Sequence, residues 1–267
     1  MKIAITGSAG FIGAATTRAA EAEGHEVLHF DRPDNDILGD LFWLTGADHV
    51  IHLAGMLGTA ELFDDAENAV MSNVVGTLRI LQWCERNGAG FTGISMPPVF
   101  PSVYTATKIC ANRLAEAWNL FRGVPVSTVV AYNAYGPGQK HGPGHPQKII
   151  PTFATEAWNN RPIPIWGDGT QTVDLVHADD IGRMLVAATE FGNGEVFDAG
   201  TGTPLTVNDV AQHVIMITGS TAGVKYLPMR DGETPTEIVA TGQGWDLLDW
   251  HPGMVFGLRE TVEWYKP

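Results

Sequence analysis

The sequence predicts an α/β protein built on a doubly wound parallel sheet, and three observations carry the prediction. Short apolar segments alternate with longer segments of helical spacing over the first two-thirds of the chain, as expected for strands joined by crossover helices. The first apolar segment runs directly into a glycine-rich loop and an alanine-rich helix. The remaining third is too short for an independent domain, so it predicts a small lobe over the carboxyl ends of the strands, where such sheets bind ligands.

Apolar spacing places the individual elements. Strands are predicted at residues 2–6, 26–30, 49–53, 91–95 and 125–131, and helices at 13–23, 66–86 and 104–121. A turn-rich stretch at 136–146 leaves the sheet, and the remaining chain predicts helices at 149–159, 179–188, 208–218 and 255–265, a strand at 162–166 and a polar loop at 168–174. We therefore expect a sheet domain over residues 1–140, completed by about residues 170–200. A C-terminal substrate-binding lobe is expected from residues 141–169 and 201–267.

Composition excludes several classes of protein. The 267 residues are 44% hydrophobic, which excludes disorder, and 16 Lys and Arg against 30 Asp and Glu give a net charge of −14. This acidity argues against nucleic acid or an anionic membrane as a partner. No stretch approaches the ~20 apolar residues of a membrane span, and residues 1–5 form a strand instead of a signal sequence. Neither the two cysteines nor the histidines have metal-ligand spacing, so we expect no metal site. Two cysteines without a disulfide pattern, together with the strand in place of a signal sequence, favour a cytoplasmic protein.

The loop after the first strand predicts a dinucleotide site. Residues 6–13 read Thr-Gly-Ser-Ala-Gly-Phe-Ile-Gly, and such glycines allow a sharp turn and bring a pyrophosphate close to a helix N-terminus. Asp31 ends the second strand 18 residues beyond Gly13. A carboxylate there accepts from a ribose 2′-hydroxyl and repels a 2′-phosphate, which favours NAD over NADP, although the neighbouring Arg32 could bind a 2′-phosphate. The predicted cofactor residues of this region are Gly7, Ala9, Gly10, Phe11, Ile12, Gly13, Asp31 and Arg32.

The spacing TGxxGxxG of this loop resembles the short-chain dehydrogenase/reductase superfamily, and further segments resemble its extended branch. That branch contains the NAD-dependent nucleotide-sugar epimerases and dehydratases, including proteins like UDP-glucose 4-epimerase. Asp40-Leu41 resembles an adenine-contacting pair, His52-Leu53-Ala54-Gly55 resembles the HLAA segment beside the cofactor, and Asn73 begins a segment like Asn-x-x-Gly-Thr. The resemblance implies a Rossmann-type fold and further cofactor contacts at Asp40, Leu41, Leu53, Ala54, Gly55 and Asn73.

Tyr104 and Lys108 are the candidate catalytic residues, and they also belong to the predicted cofactor site. They match the YxxxK motif of the resembled family, and the i, i+4 spacing places both side chains on one face of a helix. The ammonium of Lys108 is expected to stabilise the tyrosinate and to lower the pKa of Tyr104 from its usual value of about 10. Tyr104 would then serve as a base near neutral pH.

One position departs from the family pattern. The resemblance implies a Ser or Thr before the segment Val99-Phe100, where its hydroxyl would bond the reacting oxygen of the substrate, but the position holds Met96. A thioether cannot donate a proton. Ser95 is the candidate replacement, although a local shift would be needed because neighbouring side chains of a strand face opposite ways. Ser102 and Thr105 are more remote alternatives.

Three segments carry the predicted substrate contacts. Asn133 lies in a segment resembling Asn-x-Tyr-Gly-Pro, which implies that its side chain reads the nucleotide sugar. Residues 167–174 resemble GDGxQxRD, but Val173 replaces the arginine that would clamp a diphosphate with two hydrogen bonds. Arg230 resembles the second diphosphate arginine and is retained.

A basic cluster offers a replacement for the missing arginine. Lys148 is the candidate anion-binding residue, within a cluster that also holds Lys140, His141 and His145. The alternative is that these residues form an ordinary solvated loop.

Together these features predict an NAD-dependent nucleotide-sugar 4-epimerase, acting on a UDP-hexose through a 4-keto intermediate with Tyr104 as the base. The 4,6-dehydratases of the family carry an Asp-Glu pair where this chain has Met96-Pro97. An NAD-linked dehydratase, reductase or decarboxylase stays open, as does a catalytically weakened NAD-binding protein. The resemblance also implies a homodimer in which the helices over 66–86 and 104–121 form a four-helix bundle.

Overall fold

A computed structural model describes residues 1–59, 61–97, 99–142, 145, 147–230, 233–234, 237–248 and 257–267. The strands are β1 (Lys2–Thr6), β2 (Glu26–Phe30), β3 (His49–His52), β4 (Gly90–Ser95), β5 (Val126–Ala131), β6 (Asn133–Tyr135), β7 (Ile163–Trp166), β8 (Thr172–Val173), β9 (Leu175–His177), β10 (Asn193–Ala199), β11 (Leu205–Thr206) and β12 (Val224–Leu227). The α-helices are α1 (Phe11–Ala22), α2 (Ala66–Val70), α3 (Gly76–Asn87), α4 (Val103–Arg122), α5 (Ile149–Trp158), α6 (Ala178–Ala187), α7 (Val207–Thr218) and α8 (Leu258–Trp264).

The central sheet has six parallel strands in the order β10-β5-β4-β3-β1-β2. The chain passes from β1 to β2 on one side and then returns to β3 on the other side of β1. The strand order therefore reverses beside β1, and a crevice is expected at the carboxyl ends of β1 and β3. The predicted doubly wound, Rossmann-type sheet is confirmed, and its last strand, β10, lies within the range 170–200 expected to complete it.

Helices cover both faces of this sheet, which explains why its strands are apolar on both sides. Ala4, Val50 and Phe91 pack with α3 and α4 in one buried cluster. Ile3, Ile5, Ile51 and Val129 pack with α1 and α6 in a second cluster on the opposite face.

The helix expected over residues 66–86 is interrupted. One π-helical turn, Met71–Val75, separates α2 from α3, and Gly88 ends α3 in a left-handed conformation with φ of 67°. Such turns are rare and occur often at functional sites. This one places the side chain of Asn73 in the interior, where only 2% of the residue is exposed.

The lobe has its own buried cluster, formed by side chains of α5, α7, α8 and the short strands around them. Its strand pairs are β7 with β12, β6 with β9 and β8 with β11. The fully buried carboxylate of Asp174 ties this region to the end of the sheet, because it accepts from the backbone N–H groups of Thr201, Gly202 and Ala240. The start of the helix expected over 255–265, and parts of the turn-rich stretch, lie outside the described residues.

Two further observations bear on the expected absences. Among the helices of the described residues, none combines the length and apolarity needed to cross a membrane. In the same part of the chain, no group of three or more His, Cys, Asp or Glu side chains is arranged to hold a metal ion.

Candidate active site

The glycine-rich loop ends at the N-terminus of α1, and its residues Ala9 and Gly10 are exposed. Gly7 has φ of +73°, and a Cβ atom there would lie 2.8 Å from the backbone nitrogen of Ala54, so a side chain is excluded. Gly10 is the N-cap, and no side chain of the described residues caps this helix. The first turn, with Phe11, Ile12 and Gly13, contains no acidic residue. The N–H groups at this terminus therefore suit an anion such as a pyrophosphate.

The carboxylate of Asp31 lies against the same loop. Its Oδ2 accepts from the backbone N–H of Ala9 at 2.7 Å, and its Oδ1 accepts from that of Arg32 at 2.8 Å. A negative charge at the carboxyl end of β2, beside the pyrophosphate position, suits a ribose hydroxyl and opposes a 2′-phosphate. The glycine loop, the helix without a side-chain cap and this carboxylate together fit NAD.

Asp40 and Leu41 are placed differently from each other. Asp40 is exposed, and its Oδ1 accepts from the backbone N–H of Phe42 at 2.9 Å. Leu41 is buried in the cluster that also holds Phe30 and Ile37. Adenine contact by this pair stays a prediction.

The segment after β3 is held from both sides. Thr6 accepts from the backbone N–H groups of Leu53 and Ala54 at 3.1 and 3.2 Å. A Cβ atom on Gly55 would lie 2.8 Å from Asn73 Oδ1, so the close approach of Asn73 requires a glycine at this position. The side chain of Asn73 is bonded to Met56 and to Thr107. Its contact with the cofactor stays a prediction.

The candidate catalytic pair lies at the start of α4. Ser102 caps this helix by accepting from the backbone N–H of Thr105 at 3.0 Å. Tyr104 and Lys108 follow one turn apart, and both side chains are partly buried. Helix geometry thus places them together as the motif spacing predicts.

The expected lowering of the tyrosine pKa is not found in the protein alone. Burial raises the pKa of Tyr104 to about 12, and it lowers the pKa of Lys108 to about 8. Both shifts have the same physical cause, because removing water disfavours the charged form of each group. The positive charge of an oxidised nicotinamide bound nearby would lower the pKa of Tyr104, which is the shift that the sequence predicts.

Ser95 is bonded to the middle of the same helix. Its Oγ accepts from Asn112 Nδ2, and it lines a cavity of about 370 Å³ with Met96, Tyr132 and Asp198. The Ser95 hydroxyl is thus bonded to a residue of α4 that lies one helical turn beyond Lys108. Its catalytic role stays a prediction.

The predicted substrate residues lie around the lobe. Asn133 Oδ1 accepts from the backbone N–H of Asp174 at 3.2 Å, which fixes the amide and leaves Nδ2 as a donor. Arg230 lies 4.9 Å over the ring of Trp166 and forms an ion pair of 2.8 Å with Glu233. Burial lowers the pKa of Lys148; the nearby carboxylate of Glu61 opposes this shift, and the charge of Arg230 adds to it, so both groups lie close to the lysine.

The rest of the basic cluster has other contacts. His141 bonds Thr155 at 2.9 Å and packs edge-on against Tyr265, while Lys140 and His145 are exposed. Only Lys148 therefore has an interaction with Arg230 among the described contacts of these four residues. Val173, at the position of the expected arginine, pairs with Leu205 in the short β8–β11 ladder.

Sequence reasoning missed a set of buried polar residues under the site. Thr6, His52, Thr77 and Thr107 are all at most 4% exposed; the first three are linked by hydrogen bonds, and Asn73 links Thr77 to Thr107. In the sequence they are single polar residues within apolar segments, and their spacing does not predict that they contact one another.

A Rossmann-type sheet with a dinucleotide loop and a Tyr-Lys pair defines the NAD-binding dehydrogenases and their relatives. Within that class, the chain belongs to the NAD dependent epimerase/dehydratase family, whose model matches residues 3–96 and 92–200. It is 27% identical over 321 residues to a dTDP-glucose 4,6-dehydratase of Streptomyces niveus, covering 100% of this chain and 93% of the relative. It is also 27% identical over 268 residues to a UDP-glucuronate 4-epimerase of Thermodesulfobacterium geofontis, covering 92% and 81%.

Solved structures of both kinds of enzyme are also similar to this chain. UDP-glucose 4-epimerase of Thermotoga maritima with UDP-glucose is 25% identical, has a TM-score of 0.90, and covers 100% of this chain and 99% of that chain. The dTDP-glucose 4,6-dehydratase of Streptomyces venezuelae, solved with NAD bound, is 25% identical with a TM-score of 0.87, covering 100% and 97%. NAD is the cofactor of the family, and its members include both epimerases and dehydratases.

Proposed function

We propose that this protein is a nucleotide-sugar 4-epimerase acting on a UDP-hexose. Epimerases and dehydratases match the chain at the same level of identity, so identity does not choose between them. The observation that supports the epimerase is at the end of β4, where Met96 and Pro97 occupy the positions implied for the acid-base pair of a dehydratase. Neither side chain can move the protons that elimination of water requires.

The residues present supply the chemistry of an epimerase. Tyr104 takes the proton of the 4-hydroxyl as the hydride leaves carbon 4, and it returns that proton when the hydride adds to the other face of the keto sugar. Lys108, one turn along the helix, stabilises the tyrosinate between the two steps. NAD, when bound, supplies the hydride acceptor and donor, so it is regenerated in each cycle.

A panel of nucleotide sugars tests this function. The purified protein is incubated with UDP-glucose, UDP-galactose, UDP-glucuronate and dTDP-glucose, and the products are separated and weighed by mass spectrometry. We expect a product of unchanged mass from a UDP-hexose and no accumulation of NADH. A product lighter by one water identifies a dehydratase, and steady NADH formation identifies a net redox enzyme.

Lys148 and Arg230 are proposed to hold the diphosphate, with Asn133 as a further donor. The net charge of −14 makes these cations decisive, because little other positive charge is available to offset two phosphates. We expect Lys148→Ala to raise the Kd for the UDP-sugar by about tenfold, as for a lost charge-assisted hydrogen bond. Isothermal titration of the NAD-loaded protein measures it. Lys140→Ala, an exposed lysine of the same segment, is the control, and equal Kd values for the two variants would reject the assignment.

A second candidate, an NAD-binding protein with weak or no turnover, is favoured by Met96 and Val173. Both replace residues that the family resemblance implies in the substrate site. If this candidate is right, the protein holds NAD but converts no sugar of the panel, and Met96→Ser creates turnover by restoring a hydroxyl donor. If the epimerase is right, the unaltered protein turns over, and Met96→Ser changes kcat without being required for activity.

We also propose a homodimer formed through the α2–α3 and α4 helices. Val70, Met71 and Phe121, on these helices and the turn between α2 and α3, are 44%, 43% and 81% exposed, so their apolar surface is available for burial at an interface. We expect Phe121→Glu to produce monomers in light scattering after size exclusion. Trp43→Glu, at a site 60% exposed outside these helices, should leave the dimer intact. A monomeric unaltered protein at micromolar concentration would contradict the proposal.

A further inference from the structure

A continuous line of buried hydrogen bonds runs beneath the candidate active site, from β1 to the catalytic helix. Thr6 Oγ1 lies 2.7 Å from His52 Nδ1, and His52 Nε2 lies 3.1 Å from Thr77 Oγ1. Thr77 Oγ1 donates to the backbone carbonyl of Asn73 at 2.7 Å. The Asn73 side chain then reaches Thr107 on α4 at 3.0 Å.

The partners of this line fix the state of the imidazole. Thr77 has a single hydroxyl proton, and it goes to the Asn73 carbonyl, so Thr77 Oγ1 can only accept from His52. His52 Nε2 therefore carries the proton, and His52 Nδ1 accepts from the Thr6 hydroxyl. Thr6 Oγ1 in turn uses its lone pairs for the N–H groups of Leu53 and Ala54. Every donor and acceptor is used only when His52 is neutral with its proton on Nε2.

Burial keeps His52 in this neutral state. It lowers the pKa of His52 to about 3, and the charge of Lys108 acts in the same direction. Lys108 on α4 is thus the charged group that interacts with His52 among the described residues, while the ring of Phe91 packs 5.9 Å away.

The far end of the line is at the catalytic motif. Asn73 sits in the π-helical turn, and its Oδ1 accepts from the Met56 N–H at 2.7 Å while its Nδ2 donates to the Met56 carbonyl at 3.1 Å. Thr107, which accepts from Asn73, donates to the backbone carbonyl of Tyr104 at 2.9 Å. The first turn of α4 is therefore tied to the segment that follows β3.

We propose that His52 is a positioning residue: through Thr77 and the π-helical turn it sets Asn73 against Thr107, and so places Tyr104 and Lys108 relative to Thr6 and the segment after β3 that Thr6 holds. The proton on His52 Nε2 is essential, because its hydrogen bond to Thr77 links β3 to the π-helical turn. The expected effect on turnover rests on the proposed epimerase function, whereas the expected effect on the pKa of Tyr104 does not.

A matched pair of variants tests the proposal. His52→Asn retains an acceptor for Thr6 but is too short to reach Thr77, whereas His52→Gln places an amide N–H where Nε2 lies. His49→Asn is the control, because His49 is also on β3, is 4% exposed, and loses an equivalent bond from Nε2 to Thr92. His49 lies outside the line of bonds to α4.

The main readout needs no substrate. The pKa of Tyr104 in the NAD-loaded protein is followed by the chemical shift of ¹³C at the tyrosine Cζ, with Tyr104→Phe identifying its signal among the five tyrosines. We expect His52→Asn to lower the tyrosinate fraction at a given pH about tenfold, a shift of about one pKa unit. His52→Gln should restore the original value, and His49→Asn should leave it unchanged.

Turnover gives the second readout. If the panel of nucleotide sugars shows epimerisation, His52→Asn should lower kcat by about tenfold to a hundredfold, as for a small displacement of catalytic groups, with KM nearly unchanged. Equal effects of His52→Asn and His49→Asn on the Tyr104 pKa would overturn the proposal, since His52 would then only stabilise the fold. Absence of turnover with a shifted Tyr104 pKa would instead reject the epimerase and leave the role of His52 intact.

Discussion

Replacing Tyr104 with Phe is expected to lower kcat for the UDP-hexose by about 10²- to 10⁴-fold, the range for loss of a general base. The variant lacks only the hydroxyl, so the aromatic ring still fills its place at the start of α4. Bound NAD should stay at the level of the unaltered protein, because the loop at Gly7 and Gly10 and the N-terminus of α1 are the predicted site of the pyrophosphate, away from the Tyr104 hydroxyl. Product formation by chromatography and bound cofactor by absorbance give the two quantities.

The control for this variant is Tyr226→Phe, which removes a hydroxyl from a residue of the lobe that is 55% exposed. It should change kcat by less than about twofold, as is usual for a surface substitution. Activity of Tyr104→Phe close to that of Tyr226→Phe would show that another group takes the proton, and the account of the site would then be wrong at its centre.

Acid is expected to destabilise the fold strongly, because two histidines are buried in the neutral state. Burial lowers the pKa of His49 to about 4 and that of His52 to about 3, against 6.5 in an unfolded chain. The unfolded state therefore binds protons below pH 6.5 that the folded state excludes. Stability is full above pH 6.5 and falls as the pH drops towards 4, at about 1.4 kcal/mol per pH unit for each histidine.

Urea unfolding at pH 7, 5.5 and 4.5, with NAD at a fixed concentration, measures this loss. His49→Gln removes one of the two titrating groups, so it should flatten the fall in the free energy of unfolding between pH 6.5 and 4.5. His29→Gln, at an exposed site of β2, is the matched control and should keep the original slope. Identical slopes for the two variants would mean that His49 is not held neutral in the fold.

The sequence predicts the sheet well because the alternation of apolar segments and helical spacing extends over most of its strands. The π-helical turn at 71–75 could not be predicted, since one wider turn hardly disturbs the apolar spacing of the helix around it. The glycine loop and Asp31 were predictable because their chemistry is local. A glycine-rich loop after one strand and an acidic residue at the end of the next strand are enough to predict a dinucleotide site.

The remaining site residues depend on partners far away in the chain. Asn73 resembles a cofactor contact in its motif, but its amide is bonded to Met56 and Thr107. Ser95 is bonded to Asn112, and no spacing predicts that pair. The pKa of Tyr104 depends on how much water the fold removes, and that is set by the packing of α4 on the sheet. Local motifs therefore identify the groups, while their ionisation and their partners follow only from the fold.

The central claim is that hydride leaves carbon 4 of the sugar and returns to the same carbon. A UDP-hexose deuterated at carbon 4, incubated with the NAD-loaded protein and analysed by mass spectrometry and NMR, tests it directly. We expect a 4-epimer of unchanged mass that retains deuterium at carbon 4. A product lacking one molecule of water, or deuterium found at another carbon, would contradict it.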